Sequence, residues 1–346
     1  MIRIDTSKIE NWKEIEKSHS EWFFKEFKRN FSEEIENYKN LEEKEKWFLS
    51  SLFEVSEIID EYNIDLYIKE IMMFSIKKIN SAKLELLKSE YNSLGDAAKV
   101  FIKDCFKYDK RFTNDNLEKW CRNLFLYLAN ITVCPYCNRQ YVTKFNGIDN
   151  GKKRSTADLD HFYPQAQYPY LALSLYNFIP SCHTCNSTMK NQDKIGIDTH
   201  IYPYTDSMEE DIKFSIETDS FMDNIFTKNQ NINIDIDVIS TDIEKNKKIE
   251  NSLKTFKLRE VYKNSHSKYV GDLIHNFQKY PKSYTKALGE IFLEDKDKDS
   301  KEHQEKLQIL NDNFQEIIKK PYTDKIEKGE PLAKLTKDIM EELGIK

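Results

Sequence analysis

Four cysteines stand in two Cys-x-x-Cys pairs, "CPYC" at 134–137 and "CHTC" at 182–185. A two-residue gap places two thiolates where one Zn²⁺ can take both, at about 2.3 Å each. Two such turns make a closed tetrahedral site with no position left for a substrate. Cys134, Cys137, Cys182 and Cys185 are therefore expected to hold a structural zinc. The 44 residues between Cys137 and Cys182 are more than a simple zinc ribbon uses, so a folded segment held at both ends by the metal is expected there. That segment contains "DLDHFYP" at 158–164, with Asp160 directly before His161, then Asn177, and Asn186 follows the second pair. An imidazole with an unperturbed pKa near 6.5 can take a proton from water at neutral pH. The Asp160 carboxylate and the Asn186 amide oxygen are hard donors, better suited to Mg²⁺ or Mn²⁺ than to zinc. These are the parts that phosphodiester hydrolysis needs: an activated water, charge relief at the phosphate and help for the leaving oxygen.

In order and spacing, "LDHFYP", "LYNFIPSC" and "CHTCNSTMK", framed by the cysteine pairs, resemble the HNH (ββα-metal) endonucleases over about residues 131 to 200. The third position is Asn186 in place of the family's last histidine, an HNN variant. The resemblance implies His161 as catalytic base, Asp160 and Asn186 as ligands of one catalytic Mg²⁺ or Mn²⁺, and Asn177 as a pin for the loop between hairpin and helix. It also implies hydrolysis of DNA with 5′-phosphate and 3′-hydroxyl ends. The combined motif looks most like the HNH subunits of bacterial antiphage systems of the Septu type and its retron-linked relatives. Those subunits act with an ATPase partner, for which the 1–130 region is the expected dock. Two other readings stay open: a noncatalytic zinc module that binds nucleic acid or protein, and an RNA-directed nuclease toxin.

Neighbours on an extended strand point to opposite sides, so Asp160 and His161 serve separate roles only near a strand end or bend, and Pro164 suits such an exit. Lys190 lies four residues after Asn186 and is expected on the same helical face, as a phosphate contact or a solvated lysine. The "GKKR" run places Lys152, Lys153 and Arg154 at an expected hairpin tip, where they can follow a phosphate backbone without reading sequence. His183 could replace a cysteine on zinc, but the two-residue gap favours Cys185. Cys105 and Cys121 have no partner at ligand spacing and read as core thiols. His200, His266 and His275 read as structural or surface residues.

The elements that must position these residues are mostly helical. Residues 1–94 contain no glycine and no proline, and apolar residues recur at helical spacing, with breaks expected at "EYNID" and "NSLGD" and Asp96 as a helix cap. "TNDNLEKWCRNLFLYLAN" reads as a helix capped at Asn114 or Asp115 that leads into the first cysteine pair. "RQYVTKF" and "STADLDHF" read as two strands of one hairpin, "PYLALSLYNFIP" as a short helix with an extended exit, and "CHTCNSTMK" as a helix start. "DIKFSIETD" and "NINIDIDVIS" alternate as two further strands, and the pattern is helical again from about 241. The expected class is α+β, mainly α: a helical region at 1–130, a zinc-stapled ββα-metal, treble-clef-like core at 131–206, and an α+β region at 207–346. The net charge of −6 argues against general nucleic-acid affinity over the surface. Between Cys134 and His200, however, seven Lys/Arg face five Asp and no Glu. No apolar run approaches the roughly 18 residues of a membrane span. The start lacks a signal-peptide core, so a cytoplasmic location with reduced thiols is expected.

Overall fold

Spacing of three and four between Trp12, Ile15, His19, Phe23, Phe27 and Phe31 gives the first long helix, α1 (Trp12–Glu33), one buried face. The computed structural model describes residues 1–53, 57–59, 81–108, 112, 120–147, 152–190, 195–217, 219, 232–293 and 300–345. These are mainly helical with three two-stranded antiparallel sheets, an α+β arrangement. The chain forms two compact units, residues 1–208 with 247–256 and residues 209–246 with 257–346. Residues 1–130 and 131–206 thus fall in the same unit. Among the described residues no helix is long and apolar enough to cross a membrane.

In the first unit, α1 is followed by α2 (Ile35–Lys39), α3 (Glu43–Phe53), α4 (Ser81–Ser93), α5 (Asp96–Cys105) and α6 (Arg122–Ala129). Phe101 of α5 meets Phe31 edge-on at 5.8 Å, and Phe106 lies 5.2 Å from Phe27. Asp96 is the first helical residue; the cap position belongs to Gly95. The caps expected at Asn114 or Asp115 and the break at 61–65 lie outside the described residues. The helices are joined to the segment they were expected to position. Ile2 N–H donates to the Pro135 carbonyl at 2.8 Å and Ile4 N–H to that of Pro203 at 2.7 Å. Trp12 Nε1 donates to the Tyr176 hydroxyl at 3.3 Å. Cys105 and Cys121 are buried.

The strands pair differently from the expected hairpin. β1 (Lys144–Asn146) pairs with β2 (Lys153–Ser155), whereas β3 (Asp158–His161) pairs with β4 (Phe178–Ser181) in the register Asp158↔Ser181 to His161↔Phe178. β4 is buried along its whole length and β1 is exposed throughout. Burial therefore selects the distant apolar partner for "DLDH" over the nearby hairpin strand. The segment before β4 is two 3-10 turns, Pro169–Leu171 and Leu175–Asn177, in place of a short α-helix. The helix expected at the second cysteine pair is a single π-helical turn, Thr184–Met189. α7 (Ile243–Thr255) buries Ile249 and Leu253.

The second unit contains β5 (Ile212–Ile216) and β6 (Ile234–Val238), paired antiparallel as their alternation predicts, with Ile212, Phe214, Ile216, Ile234 and Ile236 buried. It also contains α8 (Leu258–Lys279), α9 (Lys282–Phe292), α10 (Lys301–Glu327) and α11 (Ala333–Glu342). α11 lies along β5 and covers its edge: the Asp338 carboxylate accepts from Phe214 N–H at 2.8 Å, and Glu342 accepts from Ile216 N–H at 3.2 Å. A carboxylate here does what a third strand would do, satisfying ladder donors that would otherwise face apolar side chains.

His19 is buried in the first unit and has a complete, neutral set of partners. Its Nε2 donates to the Leu173 carbonyl at 2.8 Å, and its Nδ1 accepts from Trp120 Nε1 at 3.0 Å. Protonation would set two N–H groups against each other, and burial lowers its pKa to about 4. Because the folded value lies below the unfolded one, this contribution to stability is complete above about pH 6.5 and is lost as pH falls toward 4. We expect the unit to lose about 2 kcal/mol of stability between pH 7 and pH 5 through this residue. Urea denaturation of the wild type and of His19→Asn at the two pH values should show a smaller pH effect in the variant.

Candidate metal centre and the strand beside it

The first cysteine pair is a tight knuckle. Asn138 N–H donates to the Cys134 carbonyl at 2.9 Å, and Asn138 takes the left-handed backbone (φ 51) that closes the turn; asparagine tolerates that region better than most residues. The second pair follows directly from β4, and Asn186 N–H donates to the Cys182 carbonyl at 3.0 Å. The β3–β4 pairing and the two turns bring the sulfurs of Cys134, Cys137, Cys182 and Cys185 within 4.8 Å of one another, all four residues buried. Cys137 and Cys182 sulfurs lie 4.0 Å apart, close to the roughly 3.8 Å edge of a tetrahedron with 2.3 Å bonds. No cysteine among the described residues forms a disulfide. Burial pushes the Cys134 thiol up, while hydrogen bonds from neighbouring thiols, Cys134 first, hold Cys182 down. Four buried thiols at this separation cannot all ionise without a cation, so the cluster could hold a metal ion such as zinc.

Asp160 points into the protein beside this centre. Its Oδ2 accepts from the Tyr136 hydroxyl at 2.6 Å, and Lys190 Nζ reaches Oδ1 at 2.8 Å and Oδ2 at 2.7 Å. Lys190 also donates to the His161 carbonyl. The two side chains are 5% and 6% exposed, so Lys190 is neither solvated nor open to a phosphate from outside. Burial lowers the Lys190 pKa and the Asp160 charge opposes that shift. Tyr136 comes from within the first knuckle and stacks on Phe256 at 4.4 Å; Lys190 closes the turn after the second. The Asp160 carboxylate is thus gripped from both cysteine pairs.

His161 turns the other way, as strand alternation requires. Its Nε2 donates to the Ala172 carbonyl at 2.9 Å. The ring is half-buried, with Tyr108 edge-on at 4.7 Å and Phe178 at 5.3 Å. Burial lowers its pKa. Asn177 is fully buried, and its side chain ties down the chain leaving β3. Oδ1 accepts from Tyr163 N–H at 2.7 Å, and Nδ2 donates to the carbonyls of Tyr163 at 3.1 Å and Leu171 at 3.0 Å. Because Leu171 directly precedes Ala172, this bracket also positions the carbonyl that orients His161.

Asn186 lies against Asp158: its Nδ2 donates to Asp158 Oδ2 at 3.2 Å. His183 Nδ1 donates to the same oxygen at 2.8 Å, and its side chain is 77% exposed, outside the sulfur cluster. Asp160, His161 and Asn186, which the motif groups around one cation, therefore share no partner here: Asp160 is held by Tyr136 and Lys190, His161 by Ala172 and Asn186 by Asp158. Asp158, Tyr136 and Tyr108 were missed by reasoning from sequence. Asp158 had a signal, since residues 158 and 160 share a strand face. Tyr136 and Tyr108 had none. Arg122 was also missed; its Nε is buried without a hydrogen-bond partner, and its charge acts on Tyr108, whose hydroxyl burial pushes up to about 12. Lys153 and Arg154 sit on β2, with Lys152 just before it, and not on a hairpin tip.

No protein-family model matches the chain, and no solved structure matches it. The chain is similar to protein ea31 of Escherichia phage lambda, 26% identical over 115 residues, which are 33% of this chain and 34% of that protein. The match thus spans about a third of the relative's length.

The buried pair sets a mutational expectation. Lys190→Met strands the Asp160 carboxylate among buried groups and should cost about 3–5 kcal/mol, whereas Lys190→Met with Asp160→Asn should recover much of that loss. Thermal unfolding of the two variants checks the coupling; equal losses would mean that the ion pair does not hold this corner.

Proposed function

We propose that the chain is a metal-dependent endonuclease of the HNH type that hydrolyses DNA phosphodiester bonds, with His161 as general base. The hydrogen bond from His161 Nε2 to the Ala172 carbonyl carries this reading. A carbonyl only accepts, so Nε2 holds the ring proton and Nδ1 keeps its lone pair. Burial favours that neutral form. The aromatic contacts and the Asn177 bracket fix the ring, so little reorganisation is left to the reaction. Nδ1 accepts a proton from a water whose oxygen bonds to phosphorus as the bond to the 3′ oxygen breaks. The leaving oxygen takes a proton from solvent, giving 5′-phosphate and 3′-hydroxyl ends.

Two metals belong to the proposal. The buried all-sulfur set is soft and closed, which fits structural zinc. For a hard cation, Asp160 does not fit as it stands, because Lys190 and Tyr136 occupy its oxygens. Asp158 and Asn186 adjoin each other at the start of β3, and they would hold Mg²⁺ or Mn²⁺. Such an ion would relieve charge at the phosphate. Lys152 and Arg154 would follow the substrate backbone from the β1–β2 hairpin, whereas Lys153, over the Tyr127 ring, would not. The cytoplasmic antiphage role and the ATPase partner belong to the same reading and are supported by motif resemblance alone. The partner's dock would have to use outward faces of the 1–130 region, because its inward faces pack against the site segment.

One observation favours a different reading. The grip of Lys190 and Tyr136 on Asp160 is what a noncatalytic zinc module would use to hold its fold. Incubation with supercoiled plasmid or total RNA, in Mg²⁺, Mn²⁺ or EDTA, separates the possibilities. We expect plasmid cleavage with either ion and none in EDTA. His161→Ala should lower the rate by about 10²-fold or more at unchanged zinc content. Asp158→Asn should raise the Mg²⁺ concentration needed. Unchanged cleavage by His161→Ala ends this assignment, and degraded RNA beside intact plasmid moves the activity to RNA.

A further inference from the structure

The β1–β2 hairpin has two chemically different faces. Its register pairs Lys144 with Ser155, Phe145 with Arg154 and Asn146 with Lys153. The pairing continues to Thr143 and Thr156, with Thr156 N–H donating to the Thr143 carbonyl at 2.9 Å and Thr143 N–H to Thr156 Oγ1 at 2.8 Å. Alternation then puts Val142, Lys144 and Lys153 on one side. There Val142 is buried, and the ammonium groups of Lys144 and Lys153 lie 5.1 and 5.3 Å from the centre of the Tyr127 ring on α6. The other side carries Tyr141, Thr143 and Phe145, with Arg154 across from Phe145. Tyr141 is 56% exposed and Phe145 is 44% exposed.

An isolated exposed aromatic is ordinary. Two in one short stretch, Phe145 on β1 and Tyr141 in the bridge to Val133 just before it, bordered by cations, form a more specific surface. Residues 139–147 and 152–157 contain Arg139, Lys144, Lys152, Lys153 and Arg154 and no acid; the connecting residues 148–151 contain one, Asp149. This is the chemistry of a single-strand binding face: cations follow the backbone while ring faces stack on bases. Bases in a duplex are already stacked and cannot reach such rings, so electrostatics alone would favour the more highly charged duplex.

We propose that the outer face of this hairpin binds single-stranded DNA, stacking unpaired bases on Phe145 and Tyr141 with phosphates held by Arg154 and Lys152. This rests on the DNA reading above and specifies its substrate as DNA with unpaired segments.

Fluorescence anisotropy of the full zinc-loaded chain without added Mg²⁺ or Mn²⁺ tests it without cleavage, using a labelled mixed-sequence 20-mer as single-stranded DNA, as duplex DNA and as single-stranded RNA. Single-stranded DNA should bind more tightly than the duplex. Phe145→Ala should weaken it by about 5- to 100-fold while leaving duplex binding within twofold. Phe145→Trp should restore binding and show quenched emission on adding the strand. Duplex preference, an unchanged affinity in Phe145→Ala, or tighter binding of RNA overturns the proposal. Loss of cleavage in the plasmid assay with single-strand binding intact would instead overturn only the nuclease reading.

Discussion

Four buried thiol sulfurs within 4.8 Å of one another are mutually unfavourable as thiolates and poorly satisfied as thiols, and a cation bound among them would relieve both. Holding them together also fixes much else. The first pair lies just beyond α6 and the second follows directly from β4, so their convergence closes a loop of 44 residues and limits how β3 can lie against β4. Each pair then sends one side chain to the same carboxylate, Tyr136 from the first and Lys190 from just beyond the second. The corner that holds Asp160 is thus tied to the sulfur cluster through two short covalent paths.

The alternation of β3 converts that constraint into two environments. On one side Asp160 is dry, paired and fully engaged. On the other, His161 lies in an aromatic setting with Nε2 committed to the Ala172 carbonyl. Asn177 links these levels: its three backbone contacts hold the exit of β3 and the turn that presents the Ala172 carbonyl. Asp158, two residues before Asp160 at the more open end of the strand, is left to associate with Asn186 and His183. A motif that groups residues by order along the chain does not distinguish the two aspartates. Their burial does.

The helical region also differs from a detachable regulatory domain. His19 and Trp12 reach Leu173 and Tyr176, and the first residues bond to Pro135 and Pro203. Removing residues 1–130 would therefore remove packing from the site segment along with any docking surface. The glycine- and proline-free sequence indicated helices, but not that the apolar face of α1 would bury against the loop between β3 and β4.

Much was legible in the residues themselves. The cysteine spacing specified a four-sulfur cluster that could hold a metal ion because ligand geometry is local within each pair, and the alternation at 212–216 and 234–238 specified a hairpin because burial has a period of two. The bracket formed by Asn177 was implied by the motif resemblance, and its three contacts are present. What only the tertiary structure decided was pairing across distance: β3 with β4 over the nearby hairpin strand, Lys190 turned inward to Asp160, and Asn186 placed beside Asp158. For the first two the deciding term is burial, with the wholly buried β4 chosen over an exposed strand and a cation drawn to a carboxylate that would otherwise be left dry. That term depends on which surfaces meet, and no single stretch of chain contains it.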